Sequence, residues 1–594
     1  MANSVYWFDE IKLKTKIFAE YSPEKIQKHL RYLTALTREA GSEDERKAAE
    51  YIKGSLDEYG IEANIYEADA YISVPKAAEL SILHPVQKSL PCLSAAFTPP
   101  TPPAGLQGEL ILPDGLKQKA DLKDKIALID GDKENRSAAE KMAREKGAAA
   151  KIYITPGKSG AIAVERLKSA WGNPTPETFS QIPNTPAISI SNADGHYLKE
   201  LLKQGSVKIK LIADSLQEYR PVNLPVGTLE GRRKPEKFVL LAGHYCSWFT
   251  GASDNAAANS LMIEMARIFA KYREFLGRSI RFAWWSGHEQ GAFAGSTWYL
   301  DNFWDDIRDH AVAYMTMDGL GRIGSSGYQC RNTEEIRNFH ENVVKDVLGI
   351  QVKSKRIPKT GDQSFHGVGL PALTGKQNLK VEPEGDMFTE AIWYSHSALD
   401  TTDNLDIGLL ENPFKVNSLS LLRLCNSRIL PFEFVTLTDA IHSTLTRLQE
   451  IGKSMIDLSR LINNSIELAK NAVQLKAVVE KEQIDICNER RENQINTGLM
   501  TLSRILIPIF SSKGGKYRQD PRETHFKPLP VLQPLEKLIA LEPNSDETKA
   551  LVTFLVRQRN KVSDAIQAAN QVMTDTLTIY EPPAVGQNKG LPAN

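Results

Sequence analysis

The stretch 238-FVLLAGHYCSWFTGASDNAAANSLMIEMARIF-269 decides the fold. Its first six residues, FVLLAG, form an unbroken apolar run of strand length, which is typical of a strand buried on both faces of a parallel sheet. The second half places Leu261, Met265, Ile268 and Phe269 on one face of a helix. A buried strand followed by an amphipathic helix predicts an α/β layer fold with a mostly parallel central sheet.

Two more strands repeat the pattern and, like the first, lead into a side chain that can bind metal. The runs FVLLAGH, SIRFAWW (279–285) and AVAYMTM (311–317) lead, in that order, to His244, to His288 and Glu289, and to Asp318. Ligands of open parallel sheets bind at the carboxyl ends of the strands, because the loops there form a crevice. The three strand ends therefore predict one common site.

Two further residues complete a set of metal ligands. Asp254 lies in the small-residue turn GASDN, where a lone aspartate is usually a helix cap, but its place between two ligand-bearing strands favours a ligand. His396 lies in the polar loop AIWYSHSALDTTDN (391–404) and is the remaining nitrogen ligand. Two histidines and three carboxylates suit two divalent cations of the zinc class, with one carboxylate bridging them and positions left for water and substrate.

The rest of the chain predicts further domains, since 594 residues exceed one compact core. We expect the N-terminal part of the catalytic domain at 1–90, a β-rich insert at 91–216, the catalytic domain at 217–430 and a helical domain at 431–594. The insert follows the proline-rich break FTPPTPPAG and contains no evident catalytic cluster. It is therefore expected to cover the site or to bind a partner.

Composition narrows the class of protein. Lys plus Arg and Asp plus Glu both number 73, so no global field attracts nucleic acid or a membrane surface. We find no apolar run of signal-peptide length at the N-terminus and none of about 20 residues elsewhere, and we expect a cytoplasmic protein. The five cysteines show no CxxC spacing, which argues against a disulfide framework or a zinc knuckle.

These residues resemble the bimetallic zinc aminopeptidases, a family that includes glutamate carboxypeptidase and the non-enzymatic transferrin receptor. The likeness covers about residues 23–420, and the helical region beyond it matches by position and helicity only. Within it, the insert is similar to the protease-associated domain in GELILPDG, DLKDKIALIDGD, EKGAAAKIYI and IPNTPAISIS, while GSTWY (295–299) and GDQSFHGVGLPAL (361–373) resemble segments of the catalytic domain.

The resemblance implies a three-layer zinc-peptidase fold and a metal arrangement. One ion would be bound by Glu289 and His396 and the other by His244 and Asp318, with Asp254 shared. It also implies a homodimer through the C-terminal helical region.

Two positions depart from the family pattern. Cys246 stands where the family has the aspartate of its HxD motif, and His288 stands where it has the glutamate that serves as general base. An imidazole titrates near neutral pH and could replace that glutamate, or it could be an additional metal ligand. Cys246 is either a catalytic or soft thiolate ligand or a small buried residue.

The preferred hypothesis is a metal-dependent hydrolase of an amide or peptide bond in a small substrate, aminopeptidase-like, with His288 as base. It would use two divalent ions, preferably Zn²⁺, while one ion or Fe²⁺ stays open. The alternatives are a metal-dependent lyase or other non-hydrolytic enzyme using His288 and Cys246, and an inactive receptor-like binding protein. Trp248 and Trp393, each within four residues of a predicted histidine ligand, are predicted to line the substrate pocket.

Overall fold

A computed structural model describes residues 5–113, 122–130, 139–140, 142–157, 160–379, 392–452, 455–485, 488–522 and 527–578. Cys487 and part of the predicted His396 loop, residue 391, lie outside these ranges. Within them the predicted three-layer α/β fold with a helical C-terminal region is confirmed.

One continuous sheet contains fourteen strands within the described residues. The strands are β1 (Glu62–His84), β2 (Lys88–Leu90), β3 (Leu93–Ser94), β4 (Leu106–Ile111), β5 (Lys125–Ile129), β6 (Ala150–Ile154), β7 (Ala187–Ile190), β8 (Lys208–Leu229), β9 (Lys234–His244), β10 (Arg278–Trp285), β11 (Ala311–Thr316), β12 (Ser325–Asn332), β13 (Lys355–Arg356) and β14 (Ala372–Leu379). Their main order is β13-β12-β14-β11-β9-β10-β8-β4-β5-β6-β7-β3.

The centre of this sheet aligns the strand ends that the sequence singles out. β9 pairs in parallel with both β10 and β11, and β11 pairs in parallel with β14. Trp285 at the end of β10 lies opposite His244, and Thr316 at the end of β11 lies opposite Ala242. The three carboxyl ends therefore open on the same edge of the sheet.

Helices cover both faces of the central strands. The helices of the described residues are α1 (Glu10–Ala19), α2 (Pro23–Thr34), α3 (Glu43–Glu58), α4 (Asn192–Gln204), α5 (Ala257–Lys271), α6 (Ala294–Asn302), α7 (Trp304–His310), α8 (Arg337–Leu348), α9 (Glu411–Asn426), α10 (Val435–Gly452), α11 (Ser459–Asp485), α12 (Glu489–Ser511) and α13 (Asp546–Thr578). One apolar core includes residues of α2, α3, α5 and α9, and another includes residues of α6 and α7.

Two long strands connect the insert to the catalytic sheet. β1 and β8 pair antiparallel from Glu62 opposite Thr228 to His84 opposite Lys208. β8 joins β10 at one end and β4 at the other, and the strands β4 to β7 of the insert continue the sheet in parallel. The expected boundary at residue 216 thus falls inside a continuous strand.

The C-terminal region is helical, as predicted. α10 to α13 share the first apolar core through residues such as Leu445, Leu468, Leu499 and Val562, all fully buried. None of the helices described here has both the length and the apolar character needed to cross a bilayer.

Candidate metal centre

The first cluster of the site contains His244, Asp254 and Asp318. His244 ends β9 and is buried, and its Nδ1 lies 3.0 Å from the main-chain oxygen of Cys246. Because a carbonyl only accepts, Nδ1 carries the proton and Nε2 is left as the ligand atom. That Nε2 lies 3.1 Å from Asp254 Oδ1 and 3.7 Å from Asp318 Oδ1.

The second cluster contains Asp254, Glu289 and His396. His396 Nε2 lies 3.5 Å from Asp254 Oδ2 and 3.4 Å from Glu289 Oε1. Glu289 is buried, whereas the side chain of His396 is 37% exposed on a turn whose φ is 59°. Asp254 therefore faces one histidine with each oxygen and belongs to both clusters.

The buried polar atoms of these clusters fit a metal centre. His244 Nε2 and both carboxylate oxygens of Glu289 are buried and make no hydrogen bond. Such atoms are rare because an unpaired buried polar group costs free energy, and metal coordination would satisfy them. Imidazole nitrogens and carboxylate oxygens are the donors that zinc-class ions take. The structure thus brings all five predicted ligands together, while their role as ligands stays a prediction.

Asn255 fixes the strand ends that carry the first cluster. Its Nδ2 donates to the main-chain oxygens of His244 and Met317, at 3.2 and 2.9 Å, and its Oδ1 accepts from Gly319 N at 3.1 Å. One buried amide therefore joins the loop after β9 to the loop after β11. The neighbouring loops are also joined, because Ser253 N donates to Asp400 Oδ1 at 2.9 Å and so links the His396 loop to Asp254.

The two histidines and their carboxylates shift each other's protonation. Burial opposes a charged His244, yet Asp254 and Asp318 raise its pKa well above the usual value. Burial likewise opposes a charged His396, but Glu289 and Asp254 raise its pKa to about 10. Without metal each imidazole keeps a proton between carboxylates, so metal binding must displace protons.

His288 is held beside the first cluster by a residue that the sequence did not identify. Its Nδ1 lies 2.6 Å from Asp362 Oδ2, and Asp362 Oδ1 accepts from Ser296 Oγ at 2.8 Å. The His288 ring stacks on His244 with centroids 3.7 Å apart and an interplanar angle of 21°. Lone pairs lie in the ring planes, so two nearly parallel rings cannot both point at one ion about 2 Å away. His288 has a ring nitrogen close enough to His244 and Glu289 for the three to form a possible ligand group. The near-parallel rings nevertheless disfavour His288 as a ligand that shares an ion with His244.

Cys246 contributes its carbonyl rather than its sulfur to the site as described. The thiol is fully buried in the apolar core that includes Trp285 and Phe365. Three groups of potential metal ligands occur among the described residues, and Cys246 is in none of them. The geometry gives no support to a thiolate ligand, and a catalytic thiol stays a prediction.

Comparison with known proteins shows which proteins the chain is similar to. Residues 225–419 match the model of peptidase family M28. This part of the chain is therefore similar to the M28 peptidases. Over 96% of its length it is 22% identical to the probable glutamate carboxypeptidase VP8 of Zea mays, of which 91% is covered. It is 25% identical to human transferrin receptor protein 2, over 29% of this chain and 24% of that protein.

Two solved structures share the fold. A peptidase M28 precursor from Shewanella amazonensis superposes with a TM-score of 0.57 and 21% identity, covering 71% of this chain and 97% of that one. The aminopeptidase from Aneurinibacillus sp. strain AM-1 gives a TM-score of 0.52 and 18% identity, covering 70% and 96%. In both comparisons nearly all of the solved structure is matched by part of this chain.

The insert contacts the candidate metal centre directly. Val164 N donates to the main-chain oxygen of His396 at 3.0 Å. Arg166 Nη1 donates to the main-chain oxygens of His288 and Glu289, at 2.5 and 3.3 Å, and lies 3.7 Å from Glu289 Oε2. The sequence predicts only that the insert covers the site or binds a partner. No local signal marks Arg166, because its partners lie more than 120 residues away.

The two predicted pocket tryptophans have different surroundings. Trp248 is 5% exposed and packs with Ala96, Phe97 and Val164 of the insert, so it offers little surface to a substrate. Trp393 is half-buried and contacts Tyr394 edge-on, with ring centroids 5.3 Å apart. Its place in the substrate pocket stays a prediction.

A small cavity adjoins the candidate metal centre at Asp318. Its lining includes Arg331, Lys376, Gln363 and Thr374. Lys376 Nζ donates to the main-chain oxygen of Asp318 at 3.3 Å, and burial lowers the pKa of both Lys376 and Arg331. Two partly buried cations therefore lie beside the candidate metal centre, an arrangement typical of sites that bind anionic groups.

Proposed function

We propose that the protein is a metal-dependent hydrolase that cleaves an amide or peptide bond of a small substrate, with two divalent ions of the zinc class. The observation that carries this proposal is the pair of clusters that share Asp254, with His244 Nε2 and the Glu289 oxygens buried and without a hydrogen bond. The M28 match and the zinc aminopeptidase from Bacillus subtilis, which shares the fold with a TM-score of 0.53, support it.

The first and second clusters would hold the ions, which when bound polarise the scissile carbonyl and lower the pKa of water. The protein's own side chains transfer the proton and orient the group that transfers it. His288 accepts the proton from the attacking water and returns it to the leaving amine. Asp362 accepts from Nδ1 of His288, which keeps the other ring nitrogen available, and Ser296 holds Asp362 in place.

The cavity beside Asp318 would bind the part of the substrate that is not cleaved. Arg331 and Lys376 are the cations of its lining, and the Thr374 hydroxyl and the Gln363 amide can add hydrogen bonds. Both polar atoms of the Gln363 side chain are buried without a partner. We therefore propose a substrate that carries a carboxylate near the scissile bond.

The experiment is a screen of small amides with the metal-loaded protein in water labelled with ¹⁸O. The panel contains amino acid amides and dipeptides, each with and without an acidic side chain. We expect turnover that requires Zn²⁺, favours acidic members and puts one ¹⁸O atom into the acid product. Asp254→Ala is the control and should be inactive.

Two other outcomes would replace the proposal. Turnover without label in the product would exclude hydrolysis and favour a lyase or another non-hydrolytic reaction. Absence of both turnover and bound metal would favour a receptor-like binding protein, for which the local similarity to transferrin receptor protein 2 is the supporting observation.

A further inference from the structure

We propose that Trp171 of the insert is a positioning residue, which through two serine hydroxyls fixes the Asp362 carboxylate that orients His288. Its indole N–H begins a chain of hydrogen bonds whose donors all point toward that carboxylate. This inference rests on the proposed function, in which His288 transfers the proton, and adds to it a residue that acts from outside the α/β domain.

The chain begins at a nitrogen that can only donate. Trp171 Nε1 donates to Ser364 Oγ at 2.9 Å, and both residues are buried. Because the indole N–H is a donor and never an acceptor, this bond occupies a lone pair of Ser364 Oγ. The hydroxyl proton of Ser364 must therefore point away from Trp171, toward another acceptor.

Two serines carry the chain from Trp171 to the carboxylate. Ser364 Oγ lies 2.9 Å from Ser296 Oγ, which lies 2.8 Å from Asp362 Oδ1. An ionised carboxylate only accepts and attracts a proton more strongly than a neutral oxygen does, so Ser296 donates its single proton to Asp362. Between the two serines, Ser364 is therefore the donor. Thr297 Oγ1 is also within reach of Ser364, but at the longer distance of 3.2 Å.

Close packing holds the Trp171 indole in place. Its ring stacks on Phe293, with centroids 3.8 Å apart and an interplanar angle of 19°, and Lys359 Nζ lies 4.1 Å from the indole centroid. The next residue, Gly172, has a φ of 68°, and a Cβ there would lie only 2.7 Å from the side chain of Thr297. The insert segment is therefore fixed tightly against α6, which carries Ser296.

The C-terminal region holds the middle of the same chain. Gln519, in the loop after α12, donates from Nε2 to the main-chain oxygen of Ser364 at 3.0 Å. Its Oε1 accepts from Lys359 Nζ at 2.7 Å, and Lys359 also donates to the main-chain oxygen of Gln363 at 2.8 Å. Ser364 is thus held through its hydroxyl by the insert and through its main chain by the C-terminal region. The hydrogen bonds that end at His288 join three parts of the molecule.

The test compares Trp171→Phe with Trp284→Phe in the zinc-loaded protein, using the member of the amide panel that is cleaved fastest. Phenylalanine keeps an aromatic ring but lacks the N–H, so Ser364 becomes free to accept from Ser296, and Asp362 loses that donor. We expect kcat to fall about tenfold with KM and Zn²⁺ content unchanged. Trp284 is also buried, and its Nε1 makes no hydrogen bond within the described part of the chain. As the matched control, Trp284→Phe should keep kcat within about twofold of the wild type.

A double variant separates positioning from structural damage. In a His288→Gln background, Trp171→Phe should change kcat by less than about twofold, because Trp171 acts only through His288. Structural damage would instead lower kcat to the same extent in both backgrounds. An undiminished loss in the His288→Gln background, or no loss in the wild-type background, would overturn the proposal.

A crystal structure of Trp171→Phe provides a readout that does not depend on turnover. We expect the Asp362 carboxylate to move away from Ser296, so that the distance between Ser296 Oγ and Asp362 Oδ1 grows beyond about 3.2 Å. An unchanged distance would overturn the positioning role. A wild type that cleaves no amide would refute the proposed function alone, since this structural result still decides the role of Trp171.

Discussion

His288 lies between two groups, the Asp362 carboxylate and the His244 ring, and both restrict what its imidazole can do. The carboxylate accepts from Nδ1 at 2.6 Å, and the stacking keeps the ring planes nearly parallel. A histidine oriented by a buried aspartate is a common arrangement for a general base. At the scale of single residues, His288, which stands where the family has a glutamate, thus has a carboxylate partner that orients its ring.

Replacing Asp362 tests this pairing. We expect Asp362→Asn to lower kcat by about 10²-fold with little change in KM, because the amide cannot hold the ring in the same protonation state. His288→Gln should lower kcat at least as much, and the double variant should lose little more, since the two residues act as a unit. Steady-state kinetics together with Zn²⁺ content would check this. Fully additive losses would contradict the pairing.

At the scale of elements, the insert segment 164–172 forms part of the site. Besides Val164 and Arg166, it contributes Lys168, whose Nζ donates to Gly291 O at 3.1 Å, just after the Glu289 loop. Burial, with a smaller contribution from Arg166, lowers the pKa of Lys168 to about 7. This segment therefore connects the insert to the loop after β10 through buried cations.

The lowered pKa of Lys168 predicts that the stability difference between the wild type and Lys168→Gln changes with pH. An unfolded lysine titrates near pH 10.4, so between about pH 7 and 10 the folded protein has lost a proton that the unfolded chain keeps, and this favours the folded state as pH rises. The slope is at most about 1.4 kcal/mol per pH unit. We expect the melting temperature of Lys168→Gln, relative to wild type, to fall between pH 6.5 and 9.5. A melting-temperature difference that does not vary with pH would contradict the lowered pKa of Lys168.

The elements that sequence predicts well are those with local signals. β9, β10 and β11 are apolar runs whose ends point to one sheet edge by a general rule, so the convergence of His244, Glu289 and Asp318 could be anticipated. Asp362 and Arg166 could not, because they reach His288 from 74 and 122 residues away, through packing that no periodicity records. The sequence therefore predicts the site residues that follow directly from a strand, but not those that reach the site through tertiary packing.

At the scale of the whole molecule, the insert and the α/β domain share one sheet through β1 and β8, and the insert contacts the site through Val164 and Arg166. The helical region adds exposed apolar side chains on α11, where Ile466 and Val473 are 53% and 55% exposed. Residues seven apart lie on the same face of a helix. That face is a candidate contact between two copies of the chain.

The homodimer that the family resemblance implies is tested on this face. We expect a dimer at micromolar concentration and a monomer after Ile466→Glu and Val473→Glu, because two buried charges at an apolar contact are costly. Light scattering measures the mass directly. A wild-type monomer at these concentrations would refute the dimer and leave the metal centre unaffected.

The most direct test of the central claim is anomalous diffraction at the zinc edge from crystals grown with saturating Zn²⁺. We expect two peaks, one bounded by His244, Asp254 and Asp318 and the other by Asp254, Glu289 and His396, with Asp254 contacting both. No peak among these five side chains, or an ion bound through Cys246 or His288 instead, would contradict it.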